Sequence, residues 1–183
     1  MMANAENLIL IAVGPDQVGL VRKISEFIVQ SGGNIEDSRM AVLAGEFALI
    51  VQISGEPTRL AAIARSTGAL GDETGLTIWT KQPAGKRRPE PSLPYQVVAS
   101  CMDHPGVVHR LSTAISKLGI NIESMETQTY AAPVSGTPTF RMEAVITVPA
   151  KVNINALREV FESMEREENI NIELSPIAPG GVD

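Results

Sequence analysis

Gly14-Pro15-Asp16-Gln17-Val18-Gly19-Leu20, followed by Gly32-Gly33-Asn34-Ile35-Glu36, is written a second time further along the chain. The second version reads Cys101-Met102-Asp103-His104-Pro105-Gly106-Val107, then Gly119-Ile120-Asn121-Ile122-Glu123. Equivalent positions lie 87 residues apart (103 − 16 and 121 − 34), and from Leu8 to Met40 the 33 positions align without a gap and contain ten identities. A repeat of this size is neither a solenoid unit nor a low-complexity tract. It is a small domain that occurs twice, so function is sought in a pair of similar modules and in the seam between them.

The elements around the repeat follow from its pattern. Leu8 to Val13 is a short continuous apolar run closed by Gly14-Pro15, which predicts a strand buried on both faces or nearly so. Leu20, Val21, Ile24, Phe27 and Ile28 then recur at helical spacing, with Asp16 read as the N-cap and Gly32-Gly33 as the stop. Asn34 to Val42 and Phe47 to Ile53 read as a hairpin around the tight turn Ala44-Gly45. Pro57 opens a second helix carrying Leu60, Ile63, Ala64 and Thr67, and Leu76 to Thr80 is a last strand.

The second half repeats the order. It has a strand from Tyr95 to Ser100 and a helix stripe of Val107, Val108, Leu111, Ala114, Ile115 and Leu118. Phe140 stands for Phe47 at an offset of 93 (140 − 47), so the second hairpin loop, Ala131 to Pro138, is six residues longer (93 − 87). Leu157, Val160, Phe161 and Met164 form the last stripe and Ile170 to Leu174 the last strand. The predicted fold class is α+β: two ferredoxin-like β-α-β-β-α-β modules, each an antiparallel four-stranded sheet with two helices on one face. The other sheet face, or an edge strand, is left wanting cover. The domains are read as 1–81 and 95–183, joined by a proline-rich basic linker at 82–94.

Composition narrows the function classes. Of the 183 residues 44% are hydrophobic and 20% charged, and the net charge is −6. The first half carries 6 basic and 9 acidic residues, the linker 3 and 1, and the second half 6 and 11. Neither module has the basic excess that phosphate neutralisation requires, which argues against direct nucleic-acid binding. The lone Cys101 forms no internal disulfide and fits a reducing compartment. The first residues carry no basic region and the first apolar run is too short to span a bilayer, so a cytoplasmic protein without a membrane role is expected.

The duplicated polar residues are the candidates for chemistry. An N-cap carboxylate at Asp16 and Asp103 accounts for the aspartates and stabilises a helix by ~1 kcal/mol. It does not account for Gly19 and Gly106, which read as glycines inside the first helical turn, at a cost of roughly 0.8–1 kcal/mol each against alanine. Their recurrence suggests that a neighbouring sheet or a small ligand approaches the backbone there. A carboxylate would suit the helix N-terminus. Asn34 and Asn121 are either turn residues tolerant of unusual φ or amides facing a bound polar group. Cys101, Asp103, His104 and His109 cluster in sequence, but Cys101 matches Gly14 in the first copy, so no paired site exists. A small buried hydrophobe is the plainer reading of this cysteine. His109 is placed on the outer side of its helix. The run Glu159, Glu162, Glu165, Glu167 and Glu168 reads as a solvated helix face, and Lys86-Arg87-Arg88 as linker solvation. No catalytic, metal or cofactor motif is found.

Asp-x-x-Gly after the first strand and Gly-x-Asn-Ile into the second, within a β-α-β-β-α-β unit, resemble the ACT domain over roughly residues 7–81 and 94–176. Gly14-Pro15-Asp16 with Asn34-Ile35-Glu36-Asp37-Ser38-Arg39 is more specific, and is similar to the tandem-ACT glycine cleavage system transcriptional repressor family. The resemblance implies a non-enzymatic regulator in which a small amino acid, glycine or serine, sits where two ACT modules meet. Carried over by position, one site would use Asp16, Gln17, Val18, Gly19 and Leu20 with Asn121 and Ile122. The reciprocal site would use Asp103, His104, Pro105, Gly106 and Val107 with Asn34 and Ile35. The resemblance also implies output through a separate protein such as a transcriptional activator, with a homodimer compatible. The alternative is a ligand-independent dimerisation or adaptor protein. Val18 stands where Pro105 stands in the second copy, so the two sites are expected to be unequal, with the proline-bearing loop the more typical.

Overall fold

The computed structural model describes residues 6–83, 90–133 and 135–177. The chain divides into two compact units, Met1–Arg87 and Arg88–Asp183. In the first, the order is β1 (Glu6–Pro15), α1 (Leu20–Gln30), β2 (Asn34–Leu43), β3 (Glu46–Gly55), α2 (Pro57–Thr74) and β4 (Thr77–Lys81). The second repeats it as β5 (Ser92–Met102), α3 (Val107–Lys117), β6 (Asn121–Ala131), β7 (Pro138–Pro149), α4 (Ile154–Glu168) and β8 (Asn171–Pro176). Each sheet has four antiparallel strands, ordered β2-β3-β1-β4 and β6-β7-β5-β8. The two ferredoxin-like modules read from the repeat are present.

Each module has its own core on the helix side of its sheet. In the first, Leu10 of β1 and Phe47 and Ile53 of β3 meet Ile24, Ile28 and Ile63 from the helices. In the second, Met142 and Ile146 of β7 meet Leu111, Ile115 and Leu157. The predicted helix stripes point inward with one correction: Val21, placed on the first stripe by its spacing, is exposed, and Phe27, Ala64, Val108, Ala114, Leu118 and Val160 are only partly covered. The expectation of a first strand buried on both faces is corrected. Leu8, Leu10 and Ala12 are buried, whereas Ile9 and Ile11 are half-buried and Val13 is exposed. Helices cover one face of this sheet, and among the described residues of the module none covers the other.

The two outer faces differ. Register places Ile11 between Ile50 and Trp79, and Val13 between Ala48 and Thr77, so the first sheet shows an apolar outer surface. Ile50 is 46% and Trp79 45% exposed. On the second sheet the equivalent surface pairs Ser100 with Arg141 and Asn171, and Val98 with Glu143 and Glu173. That face is polar.

Local chemistry sets the junctions. Ala44 and Gly45 have φ of 52° and 84°, the geometry of the two-residue turn that matches strand twist. After α1, Gly32 at φ 79° allows Gly33 N–H to bond Ile28 O and its own N–H to bond Val29 O, the hydrogen-bond pattern of a Schellman stop. Gly119 repeats it with Ile120 N–H on Ile115 O. β5 starts at Ser92, so Ser92, Leu93 and Pro94, read above as linker, pair with Pro149, Val148 and Thr147 of the long β7. The basic cluster Lys86-Arg87-Arg88 lies outside the described residues, as do Val134 of the second hairpin loop and residues 1–5.

Candidate functional site

The strand-to-helix loops are built differently from the expectation. Neither Asp16 nor Asp103 caps its helix through its side chain. The N-cap positions are Gly19 and Gly106, both at φ 94°, and their carbonyls accept from Lys23 N–H and Arg110 N–H at 3.0 Å. The glycines are therefore not inside the helix. Each is required by a left-handed backbone that a β-carbon disfavours, and the Asp three residues before each N-cap makes no capping bond across that turn. The aspartates instead fix the loop through their backbones: Asp16 N–H donates to Gly45 O and Asp103 N–H to Pro138 O, both at 2.9 Å. A close neighbour is not what calls for Gly19, since a Cβ there would meet nothing within 4 Å. With no side-chain cap, the first N–H groups of α1 and α3 stay free to bind an anion.

Asn34 and Asn121 open the edge strands β2 and β6, and a β-bulge follows each of them at Glu36 and Glu123. A bulge re-aims a side chain, and here both glutamates turn onto the neighbouring strand, Glu36 accepting from Ser54 Oγ and Glu123 from Thr147 Oγ1. Asn34 Nδ2 also donates to Glu36 Oε1 at 2.9 Å, which leaves its carbonyl oxygen as an open acceptor. The Ser54 hydroxyl, then the Asn34 amide, hold the Glu36 carboxyl below its ordinary value. The glutamate clip is the part that motif reading missed. Its signal was there: Asn-Ile-Glu is identical in both copies, and Ser54 and Thr147 share the offset of Phe47 and Phe140 (147 − 54 = 93).

Because the folded-state carboxyl of Glu36 is depressed, the clip is fully made above the unfolded value and is lost as pH falls through the folded one. In side-chain NMR, Glu36 is expected to titrate below 4.5, and Ser54→Ala to move its midpoint upward. An unchanged midpoint in the variant would contradict the assignment.

Loop and asparagine do not meet within one module. Asn34 lies level with Ser54 and Asn7 at one end of the sheet, and Asp16 follows Pro15 at the other. Eight residue steps along β1 separate the two levels, roughly 26 Å at about 3.3 Å per step. The second module repeats the separation, with Asn121 level with Thr147 and Pro94, and Asp103 beyond Met102. Ile35 is exposed and Ile122 half-buried beside these asparagines. Gln17 and Val18 are exposed, as is Pro105. Leu20 and Val107 are buried and anchor their helices in the cores.

His104 is the exception among the loop residues. Its Nδ1 accepts from Arg110 Nη2 at 3.0 Å, so the 3.4 Å approach of the same nitrogen to Pro105 O is not a hydrogen bond. Arg110 Nε pairs in turn with Glu168 Oε2 at the end of α4. Within the acidic run, Glu165 Oε1 also accepts from Ile172 N–H and Glu167 Oε1 from Ser163 Oγ, both at 2.8 Å, so three of those five side chains make contacts within the fold rather than being merely solvated.

Cys101 is buried against the core, and that burial, then the Asp103 carboxylate, pushes its thiol up. At neutral pH it is a protonated, poor nucleophile. Reaction with a thiol reagent at pH 7 is expected to be slow in the native protein and fast after denaturation; fast labelling of the native protein would contradict this. Among the described residues no cluster of His, Cys, Asp and Glu could hold a metal ion. No helix among them is long and apolar enough to cross a membrane.

Two ACT-domain family models match the chain, at residues 6–81 and 95–162. The chain belongs to the ACT-domain family. It is 25% identical over 168 residues to the glycine cleavage system transcriptional repressor of Escherichia coli (strain K12), covering 92% of this chain and 88% of the relative. The repressor of Shigella flexneri matches to the same extent. Among solved structures, an unknown protein from Galdieria sulphuraria superposes with a TM-score of 0.81 at 26% identity, covering 96% of this chain and 100% of that one. A structure assigned to a glycine cleavage system transcriptional repressor gives 0.71 at 24% identity, covering 95% and 98%. The protein is thus a tandem ACT protein that resembles the glycine cleavage repressors, in a family of regulatory modules.

Proposed function

We propose that this tandem ACT protein is a cytoplasmic, non-enzymatic regulator that binds a small amino acid and passes its state to a protein partner. The observation that carries the proposal is a complementarity built twice into the chain. One end of each sheet offers free N–H groups at a glycine-capped helix start, suited to a carboxylate. The other end offers an asparagine beside a clipped glutamate, suited to an ammonium group. A zwitterion of the size of glycine or serine presents both charges.

The two ends of one module are too far apart to hold so small a molecule together. A second ACT module, from this chain or from another copy, would supply the missing half if its edge strand ran antiparallel to the first. The strand start of one module would then lie beside the loop of the other. Residues Asp16 to Leu20 with Asn121 and Ile122, and Asp103 to Val107 with Asn34 and Ile35, are the proposed sets. The same pairing makes binding a natural switch, because an effector that bridges two modules favours the state in which they meet.

Control of transcription through a partner such as an activator, in glycine cleavage or one-carbon metabolism, is supported by the two repressor relatives and by the acidic charge of −6. A second reading, a ligand-independent adaptor, is favoured by the apolar outer face of the first sheet, which is suited to a protein surface whether or not effector is present. Thermal-shift and calorimetric titration with the common amino acids separates them. Effector at a hundred times its Kd stabilises the folded state by about 2.7 kcal/mol. No response to any of them, glycine and serine included at millimolar levels, would leave the adaptor reading.

A further inference from the structure

We infer that Arg110 is a carboxylate-binding and specificity-determining residue of the second loop, with no counterpart in the first. The inference rests on the amino-acid-binding reading above. The guanidinium is folded back over the loop: Nε pairs with Glu168, Nη2 donates to His104, and Nη1 lies 3.0 Å from where a Cβ of Gly106 would stand. Nη1 has no hydrogen-bond partner among the described residues, and Nε is buried in ion-pair contact with Glu168 Oε2 without making a hydrogen bond, so a charged donor is held beside the free N–H groups of α3 by the His104 hydrogen bond and the Glu168 charge. A planar fork with five donors can do all three things at once.

The first module supplies the internal comparison. Lys23 is the equivalent of Arg110 (110 − 23 = 87) and Gln17 of His104. The lysine amine pairs with Glu73 on α2 at 3.2 Å, and the space beside Gly19 is empty to 4 Å. Arg110 thus adds to the second loop a directed positive donor and a tie to α4. The first loop has no cationic side chain in that place. The second site therefore binds more tightly and discriminates a free carboxylate from its amide, whereas the first discriminates weakly. Arg110 can bind the carboxylate and stay tied to Glu168, so occupancy is felt at the end of α4.

The test is calorimetry on the full chain with glycine, serine and glycinamide. Wild type is expected to show two unequal sites. Arg110→Lys is expected to weaken only the tighter one, by roughly 10- to 100-fold for glycine, the loss of a charge-assisted hydrogen bond. It should also shrink the preference for glycine over glycinamide at that site, a change that a general loosening of the fold would not produce. Glu168→Gln keeps the guanidinium but releases it, and should give a smaller loss at the same site. Lys23→Ala should leave both sites within about twofold. Thermal melting of each variant confirms folding. Wild-type binding that is unchanged in both Arg110→Lys and Glu168→Gln, or weakened without any change in glycinamide preference, would overturn the role of Arg110. No binding by wild type would overturn the amino-acid reading itself, and this inference with it.

Discussion

Gly106→Val is expected to abolish amino-acid binding at the second loop and to destabilise its module. The N-cap sits at φ 94°, a conformation in which a β-branched residue is an outlier. The left-handed backbone costs roughly 1–2 kcal/mol for a residue with a Cβ. The new side chain also meets the Arg110 guanidinium at 3.0 Å and must push it away or move the loop. Loss of one hydrogen bond to a charged group accounts for about 1.5–3 kcal/mol of binding, or roughly 10- to 100-fold, and displacing the loop removes several. Gly19→Val bears the same backbone strain in open space, so its effect on stability should be the smaller of the two. Calorimetry on both variants, with chemical denaturation alongside, checks the ranking. Equal effects at the two glycines would mean that backbone strain alone matters and the guanidinium does not.

Phe47→Ala is expected to cost the first module about 3–5 kcal/mol, the range for truncating a buried aromatic side chain. Phe47 is 1% exposed and is one of the largest fully buried side chains of the chain. It packs where β1 ends, since its partner across the sheet is Gly14, two residues before the Asp16 loop. The loss should therefore appear in amide exchange as faster opening of β1 and β3, with β5 and β7 unchanged, because the second core is a separate cluster. It should also weaken effector binding at the first loop more than at the second. Uniformly faster exchange through both sheets would contradict two separate cores.

The repeat made most of this fold legible. The spacing of four at Leu20, Ile24 and Ile28 reports burial directly, whereas Phe47 to Ile53 is apolar almost throughout, so its sequence reports a strand but not that Phe47, Leu49, Val51 and Ile53 face the core and Ile50 the outside. Ala44-Gly45 reports its turn through Gly45, which takes a positive φ freely, while Ala44 adopts its φ of 52° despite its Cβ. The helix starts were misread for a definite reason. Asp-x-x-Gly supports either an aspartate cap or a glycine cap three residues later, and only the φ of the glycine decides. Composition also suggested that Ser92 to Pro94 was linker, because proline is rare in strands. The long β7 supplied pairing that a local reading cannot see. The bulges at Glu36 and Glu123 were hidden for a similar reason, since they exist only relative to the neighbouring strand. The tie from Arg110 to Glu168 joins residues 58 positions apart (168 − 110), on different helices, and carries no local signature.

The central claim, that the duplicated loops and asparagines bind a small zwitterion, is tested most directly by amide and side-chain NMR of the full chain titrated with glycine and with serine. The account predicts saturable shifts concentrated at the amides of Leu20, Val21, Val107 and Val108 and at the Asn34 and Asn121 carboxamides. Shifts absent at millimolar amino acid, or confined to residues remote from both the loops and the asparagines, would contradict it.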